Sequence, residues 1–122
     1  MVPNIIRNFS MPISHPNYSN INQEEMAAVI GLKAKHIPLL VGSFLEETAP
    51  ILQNLRNAID SKDYTSIKSF AHSIKGSAGN LRFTEVYDMT KEMEMAASQE
   101  AAEFDFDGYF DAVKTAIGTI KL

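Results

Sequence analysis

Beyond Asn22, apolar residues recur at three- and four-residue steps over most of the chain, and the pattern is interrupted at only a few polar points. A short first segment presents Met26, Val29 and Ile30. Asn22 is placed to cap it, Glu24 and Glu25 fall in the first turn where the helix dipole favours negative charge, and Gly31 ends it. From about Lys33 to Asp60 one stripe runs through Ile37, Leu40, Val41, Phe44, Thr48, Ile51, Leu52, Leu55 and Ile59, which predicts a long core-facing helix. Pro38 suits its first turn. Pro50 removes a backbone donor from its interior, and a kink near Ala49 is expected rather than a stop, because the stripe keeps register across it.

The run from Asp60 to Asp63 is a polar break, with Ser61 or Asp63 available to cap the next helix. Ile67, Phe70, Ala71, Ile74, Ser77, Ala78 and Leu81 then line a third segment. A fourth, from about Thr84 to Ser98, turns Val86, Met89, Thr90, Met93, Ala96 and Ala97 inward. The last, from about Phe104 to Leu122, carries Phe106, Tyr109, Phe110, Val113, Ile117 and Ile120. No sustained alternation demands a strand, and no repeat of solenoid length is present. The expected fold is therefore all-α: an antiparallel four-helix bundle within residues 21–122, with the short first helix packed outside it. Residues 1–20 hold three of the five prolines and no lasting period, which reads as an irregular N-terminal tail. Ile5, Ile6, Phe9, Met11 and Ile13 make that tail apolar enough to lie along the bundle, and His15 reads as a solvated loop residue.

Composition narrows the function classes. With 122 residues the chain fits one domain whose core needs no metal or disulfide staple. The absence of cysteine removes disulfides, thiolate nucleophiles and Cys-based metal sites. Fifteen acidic side chains against eleven basic ones give a net charge of −4, the wrong sign for neutralising nucleic-acid phosphates. No segment approaches the ~20 apolar residues of a membrane span, and no basic leader precedes an apolar run at the N-terminus. A cytoplasmic monomer that binds neither nucleic acid nor membrane is expected. Met89, Met93 and Met95 read as adaptable core filler. Glu92, Glu94, Glu100, Glu103, Asp105 and Asp107 read as a solvated face and cap region, and His36 as a helix-start residue. Leu39 lies off the core stripe, so it either packs the short first helix or belongs to an apolar docking patch.

One segment differs from a plain bundle helix: Ala71, His72, Ser73, Ile74, Lys75, Gly76, Ser77, Ala78, Gly79, Asn80. Two glycines inside a good apolar period each cost about 1 kcal/mol relative to alanine. At about 100° per residue the core stripe centres on Ala71, Ile74 and Ala78, which places His72 in water with Lys68, Lys75, Gly76 and Gly79 around it. A neutral imidazole nitrogen is a competent nucleophile near neutral pH, and neighbouring ammonium groups disfavour its protonation and attract an incoming phosphoryl group. Lys75 would supply a point charge, and glycine at 76 and 79 would let another protein's backbone come close. The arrangement suits a phosphoryl acceptor reached by a partner.

The run from His72 through Lys75, Gly76, Ser77 and Ala78, followed by Asn80 and Leu81, resembles the signature of histidine-containing phosphotransfer (HPt) domains of two-component phosphorelays. The flanks agree: Phe44 to Pro50 and Leu55 to Ile59 before it, Asp63 at the start of the histidine segment, and Glu94 to Ala96 after it. The resemblance covers about residues 22–122. It implies phosphorylation of His72 and relay to or from the aspartate of a response-regulator receiver domain, with a sensor histidine kinase upstream. It further implies assistance from Lys75, clearance at Gly76, and receiver docking around Lys68, Ser69, Gly79 and Leu39. No cofactor is implied for the chain itself, and any magnesium would be held by the receiver's carboxylates. One departure stands out: Arg82 occupies a place where the family usually has glycine, in the turn into the fourth segment.

Other classes are weaker. A kinase would need a nucleotide-binding loop, and neither common glycine-rich pattern occurs. A hydrolase would need a paired acid–base site, and no carboxylate lies three or four residues from His72 to orient it. Two alternatives remain open at this point: a helical adaptor with an incidental histidine, and the phosphoacceptor module of a larger hybrid or chemotaxis-type kinase.

Overall fold

The computed structural model describes residues 13–122, and all of its regular structure is helical. Helix α1 (Gln23–Ile30) is followed by a 3-10 turn (Ala34–His36), α2 (Ile37–Asp60), α3 (Tyr64–Asn80), α4 (Thr84–Ser98) and α5 (Phe106–Gly118). Helices α2 to α5 form the antiparallel four-helix bundle, each packed on its neighbour in sequence with α5 closing against α2. Its core is built on the anticipated stripes: Ile37, Val41, Phe44 and Leu55 from α2, Ile67, Ala71, Ile74 and Ala78 from α3, Val86, Met89 and Met93 from α4, and Tyr109, Phe110 and Val113 from α5. Burial of this apolar surface is the main stabilising term.

Local chemistry sets the helix ends. The Asn22 carboxamide accepts from the Glu25 amide at 2.9 Å, and Gly31 closes α1 in the left-handed region at φ 78°. Asp63, rather than Ser61, caps α3 by accepting from the Ser66 amide at 3.2 Å. Hydrogen bonding to Ser66 holds the Asp63 carboxyl below its usual pKa. The three connections inside the bundle share one closure. Lys62, Arg82 and Glu100 each take positive φ (56°, 63° and 50°), and the next residue's amide reaches back five positions to a carbonyl of the preceding helix.

Three expectations change. The long segment begins as a 3-10 turn with His36 at the junction; α2 then runs through Pro50 without a stop, as expected, with the exposed ring accommodated within the helix. The last helix is shorter than its stripe: Asp105 caps it through the Gly108 amide, so Phe104 stacks on Phe106 and Tyr109 from outside. The acidic stretch is not uniformly solvated. Glu92 is buried, Asp107 pairs with Arg56, and Glu94 is largely covered by side chains of α3. Burial first, then the Glu92 charge, pushes the Tyr109 hydroxyl pKa up.

Residues 13–22 lie against the bundle. Tyr18 packs its ring on Phe83 at 4.7 Å, donates its hydroxyl to Glu85 at 2.8 Å and its amide to the Thr119 hydroxyl at 2.9 Å, and accepts at its carbonyl from the Lys121 amide at 3.2 Å. Ile13 and Ile21 also pack on the core, and His15 is exposed. The apolar positions Ile5, Ile6, Phe9 and Met11 lie outside the described residues.

Candidate functional site

Helix α3 presents its core residues Ala71, Ile74 and Ala78 to the bundle, which turns His72 outward with its side chain 65% exposed. The ring is nonetheless held. Its Nδ1 lies 2.9 Å from Oε2 of Glu94, which reaches across from α4 and is only 18% exposed. The other carboxylate oxygen of Glu94 takes Nζ of Lys75 at 2.7 Å. One carboxylate thus bridges the histidine and the lysine. Burial by itself raises the pKa of Glu94, but hydrogen bonds and charge from Lys75 and His72 outweigh it and hold the carboxyl below its usual value. Glu94 is therefore ionised near neutral pH and can only accept, so Nδ1 is the donor of this contact, and in the neutral ring that arrangement leaves the lone pair on Nε2.

The expectation that no carboxylate orients His72 is thereby corrected. Spacings of three and four residues report on one helix, whereas the partner is 22 residues away on the adjacent one. Glu94, which the charge pattern places on a solvated face, is the site residue that sequence reasoning misses. Its signal is its position in α4, on the side that faces α3 beside the core residue Met93.

The other candidate residues separate into those around the ring and those away from it. Lys68 and Ser69 are exposed on α3, and Lys68 has no ion pair among the described residues. Gly76 is open, for a Cβ placed there meets nothing within 4 Å. At Gly79 a Cβ would come 3.0 Å from the Tyr87 ring, so its missing side chain serves the packing of α4 on α3 as well as any approach from outside. Leu39 is 72% exposed, which removes the option that it packs α1, and Val29 and Leu32 are exposed as well. Beyond Gly76 and Gly79, a groove is completed by Asn80, Arg82, Thr84 and Tyr87. No cluster of three or more metal-binding side chains occurs among the described residues.

A two-helix frame that holds an exposed imidazole by one nitrogen and leaves the other toward solvent fits phosphoryl chemistry, and the family comparison agrees. The family model of the Hpt domain matches residues 39–121. The chain belongs to this family. Hpt domains are helical modules of histidine phosphotransfer in two-component systems; they work with receiver domains and histidine kinases and have no kinase activity of their own. The match takes in α2 to α5 almost entirely and leaves α1 and Tyr18 outside. Comparison with curated proteins and with solved structures gave no match. No single helix among the described residues is long and apolar enough to cross a membrane.

Proposed function

We propose that His72 is the phosphoacceptor of this Hpt domain and that it exchanges a phosphoryl group with the aspartate of a receiver domain. The observation that carries the reading is the His72–Glu94 contact on an exposed ring: an imidazole open to a protein partner yet fixed in one tautomer. In the forward step the Nε2 lone pair attacks the phosphorus of the partner's aspartyl phosphate. The N–P bond forms, the bond from phosphorus to the aspartyl oxygen breaks, and its electron pair stays on the partner as a carboxylate. The ring keeps its Nδ1 proton and becomes a phosphorylated imidazolium, whose positive charge is met by ionised Glu94. No proton has to leave, so the same arrangement serves the reverse transfer.

Lys75 holds the second oxygen of Glu94 at 2.7 Å, which fixes the carboxylate that orients the ring and keeps a positive charge beside the acceptor. Gly76 gives the partner's backbone clearance one turn along α3, and Lys68 and Ser69 border the ring on the other side. Magnesium belongs to the receiver in this scheme. The domain acts as a monomer in the cytoplasm and forms short-lived complexes with receiver and kinase.

The test is transfer from receiver domains loaded with radiolabelled phosphate. Wild-type protein is expected to take up an acid-labile label, and His72→Gln to take up none while keeping its helical circular dichroism. Label that persists in His72→Gln, or that never reaches the wild type from any receiver of the host, would favour the adaptor reading. Glu94→Gln is expected to slow transfer about tenfold, the scale on which removal of an orienting partner acts, because an amide can either accept from or donate to Nδ1 and so no longer fixes the tautomer. Nitrogen NMR of the His72 ring separates this from a packing defect, since only loss of orientation brings a mixture of tautomers.

A further inference from the structure

Arg82 closes α3 in the left-handed region at φ 63°, a conformation that glycine adopts freely and that costs an L-residue. Lys62 and Glu100 take the same conformation, so the turn alone does not explain an arginine here. Its surroundings distinguish it. Arg82 lines the groove with Gly76, Gly79, Asn80, Thr84 and Tyr87, and Gly76 is one helical turn from His72. Its side chain is exposed and makes no hydrogen bond or ion pair with any described residue, whereas Lys75 is committed to Glu94. On a chain of net charge −4, Lys68 lies one turn before His72 on α3 and Arg82 in the turn just beyond the helix end, neither with an ion pair among the described residues.

Distance decides what such a cation can do. Helix α3 runs eight residues beyond His72 to Asn80, about 12 Å at helical rise, and Arg82 follows two residues later. A partner footprint of about 800 Å² centred on His72 has a radius of about 16 Å. Arg82 therefore falls at the rim of the contact and outside the reacting atoms, where charge governs association rate and partner choice more than chemistry. At such a rim the complement of an exposed guanidinium without an ion pair among the described residues is a carboxylate on the docked protein's surface, which it takes in a two-point grip.

We infer that Arg82 is a selectivity residue of this domain, which takes a carboxylate on the docked receiver's surface and thereby favours receivers that bear an acidic side chain at that edge. The inference rests on the relay reading, and the two are tested separately. Receivers of the host are purified, loaded with labelled phosphate, and used to measure kcat/KM for transfer at several salt concentrations to wild type, Arg82→Gly and Arg82→Glu. Label on wild-type His72 establishes the relay first; its absence with every receiver removes the relay reading and this inference with it. Given that label, Arg82→Gly is expected to lower kcat/KM about threefold to tenfold for the preferred receiver. Arg82→Glu is expected to lower it further, and both variants to flatten its fall with added salt. Rates and salt slopes equal to wild type in both variants overturn the inference while the relay reading stands. An equal loss for every receiver at every salt concentration overturns it too, because selectivity requires the loss to differ among partners. Thermal melting keeps the comparison clean: Arg82→Gly restores glycine's freedom at the turn and is expected to melt no lower than wild type.

Discussion

An alanine methyl at Gly76 has open space around it, and alanine suits a helix interior better than glycine by about 1 kcal/mol. Gly76→Ala is therefore expected to raise the melting temperature by roughly 4 °C while slowing phosphotransfer from a receiver, by about tenfold or more if the partner's backbone passes within contact distance. Calorimetry and a transfer assay on the same preparation check both halves. A variant that is more stable and fully active would show that the glycine is not there for clearance. Gly79 does not offer the same test, since a methyl there presses on Tyr87 and its effect would mix packing with access. At this scale the sequence exposes both glycines and the histidine but not their difference. The Tyr87 ring reaches Gly79, and Glu94 reaches His72, only because α3 and α4 pack in one particular register.

The helices themselves are almost fully legible in the sequence, and the reason is locality. Asn22 and Gly31 act on residues within one turn, so the span of α1 is set by nearby sequence; the fourth segment, expected from Thr84 to Ser98, has those bounds. Where a cap competes with an apolar stripe, the cap prevails. Asp105 accepts from the Gly108 amide at 2.9 Å and starts α5 at Phe106, although the stripe alone would begin it at Phe104. Asp105→Ala is expected to lower unfolding free energy by about 1 kcal/mol, and Asp105→Asn to keep most of it. Denaturant titration decides between them; equal loss in both would mean that the charge, and not the cap bond, is what matters. Continuity through Pro50 is the counterpart case, in which the apolar stripe on either side outweighs one missing backbone donor.

For the whole molecule, the pattern is sufficient for the bundle and silent about what crosses it. Tyr18 reaches Phe83, Glu85 and Thr119 over sequence separations that no period encodes, and burial together with the bond to Glu85 drives its hydroxyl pKa far above the usual value. The acidic run misleads for the same reason: Glu92 and Glu94 differ from Glu100 and Glu103 only in what the neighbouring helices place against them.

A single imidazole exposed on one helix face also has a consequence for traffic. On the proposed reading, the protein that delivers the phosphoryl group and the protein that removes it need the same nitrogen and the same clearance at Gly76, so they must take turns. Waiting partners then become competitors: an excess of unphosphorylated receiver is expected to slow the loading of His72 in proportion to its occupancy of that face. Loading rates measured across a receiver titration would show simple competition, and loading indifferent to the idle receiver would mean that the two proteins use different surfaces. The throughput of such a relay is set by how quickly each visitor lets go.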